Sequence, residues 1–141
     1  MIFWTNSNLQ LSNFFVAINT IAQLYFCFFL LPQLNLNSLN SALTHLVSKT
    51  FAGIAVLDIM HNTSVAYFDH QAPPFAVLIV TPAIYLTLAA AGDWIFGACM
   101  VYDLVALAVG QAEYGNRSWG IWLGIFAGAT AVVGGMKNFT R

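Results

Sequence analysis

Charged residues are scarce in this sequence: of 141 residues, four are Lys or Arg and five are Asp or Glu, 6% in total. A soluble domain carries about 25% charged residues, so this chain has too few to cover a water-exposed surface. A formal net charge of −1 also provides no basic surface for a nucleic acid. The composition therefore excludes a soluble domain and a nucleic-acid-binding protein.

Cysteine is also rare, and recognisable motifs for metals or cofactors are missing. Cys27 and Cys99 lie in apolar runs and form no C-x-x-C pair, which favours a role as small buried side chains. The three histidines follow no H-x-x-x-H or H-E-x-x-H spacing, and no P-loop, dinucleotide or G-x-S-x-G motif occurs. We therefore expect no metal and no cofactor.

Long apolar runs make up most of the chain, which is 60% hydrophobic with a mean hydropathy of +0.76. Since a spanning helix needs roughly 20 mostly apolar residues, the runs predict an all-α, multi-pass membrane helix bundle. We expect one integral membrane domain over residues 1–141. A four-span alternative treats the second run as peripheral, because it contains Asp58, His61 and Asn62. The five predicted spans are residues 11–31, 46–68, 74–91, 94–110 and 119–136.

The few basic residues predict an orientation. In the five-span arrangement Lys49, Lys137 and Arg141 fall on one side and Arg117 on the other, which places the C-terminus in the cytosol. Asn116 begins an N-x-[ST] sequon on the luminal side and is a predicted glycosylation site. The interpretation is a protein of the endoplasmic reticulum or another endomembrane.

Three glycines recur every four residues in the last apolar run. Gly120, Gly124 and Gly128 form a double G-x-x-x-G motif, which allows another helix backbone to approach closely. The stripe could pack inside the bundle or against another subunit, as a homo- or hetero-oligomer.

The first apolar run contains a polar face. Thr20, Gln23 and Cys27 are spaced i, i+3, i+7, and Asn13 lies about two turns earlier. In a membrane such a face should contact protein or water. It could form interhelical hydrogen bonds, or it could line a polar cavity, in which case Gln23 would contact substrate.

The second run contains a cluster of polar side chains. Asp58, His61 and Asn62 stand at i, i+3 and i+4, so they project together. A carboxylate beside an imidazole can fix the tautomer of the ring and assist a proton relay, although the same residues could simply be a satisfied polar pair. Ionisable residues within a span are candidates for function. We treat Asp58 and His61 as candidate catalytic residues and Asn62 as a cavity residue.

Two aspartates lie in the stretch from 89 to 110. Asp93 follows Gly92 and is predicted to cap the next helix. Asp103 falls in the middle of that helix beside Tyr102, a predicted cavity residue. If Asp103 and Asp58 meet at similar depth, one could hold a proton and act as an acid while the other acts as a base. This pairing suits epoxide opening, cyclisation or isomerisation.

The blocks "AGIAVLDI", "AAAGDWIFG" and "YDLVALAVG" resemble those of small four-helix DoxX-like membrane proteins. The resemblance covers under half of the chain and departs at Leu57, where an arginine commonly precedes the first aspartate. The overall character of the sequence also resembles that of small multi-pass tailoring proteins of fungal secondary-metabolite clusters. This resemblance implies a hydrolase or cyclase role. Neither resemblance assigns a role to an individual residue.

Two hypotheses follow from the sequence. The first is a small membrane enzyme that performs cofactor-free acid/base chemistry on a lipophilic metabolite, with Asp58, His61 and Asp103 as catalytic residues. The second is a non-catalytic membrane subunit or scaffold that binds partners through the glycine stripe. Both imply contact with membrane lipid.

Overall fold

The computed structural model describes residues 8–67 and 73–139, and within these ranges every regular element is a helix. The all-α prediction is therefore confirmed for the described residues. Arg141 and the predicted span end at residue 68 lie outside them. The described ranges contain five α-helices: α1 (Leu9–Tyr25), α2 (Leu39–Tyr67), α3 (Phe75–Ala91), α4 (Trp94–Tyr114) and α5 (Arg117–Phe139).

Four of the five helices are long and apolar enough to cross a membrane. Helix α1 continues into a π-helical turn, Phe26–Leu30, so its apolar segment covers Leu9–Leu30. Helices α2, α4 and α5 also meet the requirement. Helix α3 has 17 residues, the lower limit of the roughly 17–25 that span a bilayer. The chain is therefore a multi-pass integral membrane protein, and its exposed large apolar side chains are suited to lipid.

The contacts divide the chain into two compact units, Met1–Gln71 and Ala72–Arg141. In the first unit, the Thr20 hydroxyl donates to the Ala55 carbonyl oxygen at 2.8 Å. The Thr63 hydroxyl donates to Asn13 Oδ1 at 3.1 Å. These bonds join α1 to α2 in an antiparallel register. Interhelical hydrogen bonding, one of the two roles expected for the polar face of α1, is thus present at Thr20 and Asn13.

In the second unit, a tight turn separates α3 from α4. The Phe96 N–H donates to Asp93 Oδ1 at 3.2 Å, so Asp93 caps α4 and the sequence prediction is confirmed. Gly92 is needed because a Cβ atom there would lie 2.6 Å from Cδ1 of the Phe96 ring. The Lys137 ammonium donates to the Ala91 carbonyl oxygen at 2.8 Å and also to that of Gly92. It thereby satisfies carbonyls at the end of α3, where a cation is favoured.

Helices α4 and α5 pack closely at one glycine of the predicted stripe. A Cβ atom on Gly120 would lie 2.8 Å from the Ala108 carbonyl oxygen and 3.0 Å from the Ala112 nitrogen. Gly124 and Gly128 are exposed, and no atom lies within 4 Å of a Cβ placed there. Packing inside the bundle, one of the two roles predicted for the stripe, is therefore present at Gly120, whereas Gly124 and Gly128 face outward. A four-residue spacing drifts about 40° around a helix at each step, which turns the other two outward.

Asn116 lies in the short connection between α4 and α5. Its side-chain oxygen accepts from the Trp119 N–H at 3.1 Å, so this residue caps α5. The side chain is exposed, and its glycosylation remains a prediction.

The number of spans can be tested with reporter fusions. We expect a reporter placed after residues 40, 72 and 115 to lie in the cytosol, the lumen and the lumen, because two further spans separate the last two positions. Protease protection or a glycosylation reporter measures the side. Reporters at 40 and 72 on the same side would show that α2 does not cross the membrane and would favour four spans.

Candidate functional site

Asp103 lies in the interior of the second unit and is only 3% exposed. It shares the inner face of α4 with Phe96, Met100 and Leu104, all of which are buried. Their i, i+4, i+7, i+8 spacing gives α4 a single inward face, and Asp103 is part of it. A carboxylate is thus held in apolar surroundings at the middle of a helix that is long enough to cross a membrane.

Two other buried polar side chains lie at nearby depth. Tyr85 on α3 and Thr130 on α5 are each 0% exposed. Their depth can be measured from the contact between Lys137 and the end of α3. At a rise of 1.5 Å per residue, Tyr85 and Thr130 each lie about 10 Å from this contact along their own helix. Asp103 lies about one turn deeper along α4. Each of the three helices therefore contributes a buried polar side chain near this depth, and α3 also carries the buried Thr81 about one turn deeper than Tyr85.

The directions of the helices bring these three side chains closer together. Side chains on an α-helix tilt toward its N-terminus. Helices α3 and α5 run toward the Lys137 contact, so Tyr85 and Thr130 lean away from it and deeper into the unit. Helix α4 begins near that contact, so Asp103 leans back toward the other two. We name Tyr85, Asp103 and Thr130 the polar core.

The electrostatics of the polar core suit proton transfer. The Asp103 carboxyl group lies close enough to Tyr85 to interact electrostatically with its phenol. Within the described residues, the Tyr85 and Thr130 hydroxyl oxygens have no hydrogen-bond partner. Buried polar atoms normally have one, so these two hydroxyls could bind a polar group of a ligand. The set combines a carboxylate with two neutral hydroxyl donors.

Sequence reasoning found Asp103 but missed Tyr85 and Thr130. Tyr85 had a detectable signal, since it is the only titratable residue in the third predicted span. Thr130 had none, because "GATAVVGG" resembles an ordinary packing segment. Their relation to Asp103 depends on the registers of three helices, which sequence spacing within one helix does not provide.

Tyr102 does not belong to the polar core. It is 72% exposed because adjacent residues on a helix point about 100° apart, so burial of Asp103 turns Tyr102 outward. The expectation that it lines an internal cavity is corrected. Gln23, expected to line a cavity in the first unit, is half-buried on α1.

Asp58 and His61 occupy an outward face of α2 in the first unit, where both are exposed. Asn62 is buried and its amide donates to the main-chain carbonyl of Asp58 at 2.9 Å. As expected, the Asp58 and His61 side chains project from the same face of α2, whereas the Asn62 side chain points inward. Asp58 and Asp103 belong to different units, and the meeting of their carboxylates remains a prediction.

The depth of Asp58 follows from the register of α1 and α2. With Thr20 opposite Ala55 and Asn13 opposite Thr63, Asp58 lies opposite the turn at Ile18. That turn is about 3 Å from the centre of the span Leu9–Leu30. An aspartate at such a depth costs about 2.5–3.5 kcal/mol on insertion scales when it is unpaired.

Comparisons of the chain with protein-family models, with curated proteins and with solved structures find no match. The resemblances to DoxX-like proteins and to fungal tailoring proteins therefore remain predictions.

Proposed function

We propose that the protein is a membrane enzyme that transfers protons, without a cofactor, on a lipophilic metabolite bound at the polar core. The observation that carries this proposal is the burial of Asp103 close to the phenol of Tyr85, on a helix face that is otherwise apolar. A carboxylate base and a neutral hydroxyl donor are the two groups needed to move a proton between carbon atoms.

In the proposed reaction, the Asp103 carboxylate removes a proton from a carbon next to a carbonyl group. The Tyr85 and Thr130 hydroxyls donate hydrogen bonds to the carbonyl oxygen as negative charge develops on it. Asp103 then returns the proton to another carbon and the double bond shifts. No atom is gained or lost, so the reaction is an isomerisation. It extends to cyclisation when the carbanion attacks a second carbonyl carbon of the same molecule: the carbon–oxygen π bond opens, and Asp103 returns its proton to the alkoxide that forms.

Isomerisation and cyclisation fit this site better than hydrolysis does. Isomerisation and cyclisation need no water as a reactant. The helices that carry the polar core also bear buried apolar side chains, such as Met100, Leu104 and Leu123, which suits a reaction without water. Catalytic roles for Asp58 and His61 remain predictions, as does a place in secondary metabolism. We also propose an endomembrane location, supported by the exposed sequon at Asn116.

Deuterium transfer tests the proposal without requiring that the substrate be identified first. Purified protein in liposomes is incubated in D2O with a lipid extract of the source cells, and metabolites are analysed by mass spectrometry. We expect at least one lipophilic metabolite to gain carbon-bound deuterium that liposomes without protein do not introduce. The absence of any such metabolite would contradict the proposed function.

The scaffold hypothesis has one observation in its favour. Asp58 and His61 lie on an outward face of α2 at a depth where lipid is a poor neighbour. This feature points to association of the first unit, and it is independent of chemistry in the second.

A further inference from the structure

The outward face of α2 is a continuous stripe that contains both apolar and ionisable side chains. Val47, Phe51, Ile54, Asp58 and His61 are all exposed and follow one another at intervals of four, three, four and three residues. This alternation is the heptad pattern of a helix that packs against another helix in a left-handed supercoil. We name these five residues the α2 stripe.

Lipid is an unfavourable environment for the end of the α2 stripe that carries Asp58 and His61. Asp58 lies level with a point about 3 Å from the middle of the α1 span and is about 8 Å from the middle of α2 itself. His61 is one turn further on, within a hydrocarbon core about 30 Å thick. Ionisable side chains at such depth face other protein groups or a water-filled cavity. The same stripe is apolar at Val47, Phe51 and Ile54, which favours packing against a helix over contact with water.

The chemistry of the stripe identifies the helix that fits it. Asp58 accepts hydrogen bonds and His61 can donate them, and the two residues are one turn apart on one face. A partner helix with a single basic residue would pair with Asp58 but would give His61 no acceptor. A partner helix with a single acidic residue would pair with His61 but would give Asp58 no donor. A second copy of the same stripe offers both groups at the same depth.

We propose that the α2 stripe is the interface of a homodimer. Copies inserted with the same orientation are related by a twofold axis along the membrane normal, so their α2 helices pair in parallel. In parallel heptad packing a residue at the Asp58 position touches residues one turn along the opposite helix. Asp58 of each copy thereby pairs with His61 of the other, which is the reciprocal contact that a twofold interface requires.

Exchange of the two side chains tests this pairing. Asp58→His produces a stripe with two histidines, and His61→Asp produces one with two aspartates. In liposomes at low protein density, single-molecule photobleaching should show a dimer for the wild type and at least tenfold weaker self-association for each variant. Mixing differently labelled variants should restore pairing as heterodimers, because each supplies what the other lacks.

A second variant separates loss of pairing from loss of folding. Asp58→Leu combined with His61→Leu places apolar side chains against lipid, so the unit should retain its helical circular dichroism while the protein becomes monomeric. Leu46→Ala is the matched control: it changes an exposed side chain on another part of α2 and should leave the dimer intact.

Three results would overturn the proposal. A monomeric wild type would mean that something other than a second copy covers Asp58 and His61. Unchanged self-association in both single variants would exclude the stripe as the interface. Failure of the mixed variants to form heterodimers would exclude the reciprocal pairing of Asp58 with His61.

Discussion

Replacing Asp103 by Asn should lower the rate of deuterium transfer by about 10²–10⁴-fold, the usual contribution of a general base. Asn has nearly the size of Asp and keeps the packing against Met100 and Leu104, both fully buried. It cannot accept the proton as a carboxylate does. The measurement is the initial rate of deuterium incorporation in liposomes, with equal amounts of folded protein for each variant.

The control for this experiment is Asp93→Asn. Asp93 accepts a hydrogen bond from the Phe96 N–H, and Asn caps helices about as well as Asp. Its activity should therefore equal that of the wild type. Full activity of Asp103→Asn would contradict the proposed role of the polar core. A loss found only with Asp93→Asn would mean that the two aspartates of this stretch have the opposite roles.

The second large effect is expected at Gly120, where a Leu side chain should disrupt the packing of α4 against α5. The nearest atoms to its Cβ position are the Ala108 carbonyl oxygen at 2.8 Å and the Ala112 nitrogen at 3.0 Å. Both are backbone atoms, which cannot swing aside as a side chain can. Overpacking in a well-packed core costs about 1–3 kcal/mol, sometimes more, and a Leu in contact with backbone should reach at least this range.

The matched control is Gly124→Leu, one turn further along the same helix. No atom lies within 4 Å of its Cβ position, so the folded monomer should keep its stability. Unfolding of both variants in mixed detergent and SDS, followed by circular dichroism, measures the difference. Equal stability of Gly120→Leu and the wild type would show that the close approach of α4 and α5 does not stabilise the protein.

The sequence was sufficient to predict the class and the helices. In a bilayer the backbone must satisfy its own hydrogen bonds, so long apolar runs with little charge leave helices as the fitting solution. The predicted start of the fourth span, residue 94, is the first residue of α4. The second and fifth helices begin earlier than predicted, at Leu39 and Arg117, because helices extend beyond the hydrocarbon core into polar sequence.

Local capping could also be predicted, since the Gly92–Asp93 pair needs only its neighbours in sequence. The polar core could not. Tyr85, Asp103 and Thr130 come from three helices, and their proximity depends on how Lys137 and Gly120 set the helix registers. Nor does spacing within α2 decide whether Asp58 and His61 face inward or outward, because a polar stripe has the same periodicity in both cases.

The contact of Lys137 with the end of α3 has a consequence for biosynthesis. Helix α3 is short for a membrane span and contains Pro82, which removes one backbone hydrogen bond from its interior. The ammonium group that satisfies its last carbonyls comes from Lys137, synthesised 45 residues after Gly92. The carbonyls at the end of α3 therefore gain this partner only after the ribosome has synthesised α5. Thr130 lies on the same helix, so the polar core is also complete only then.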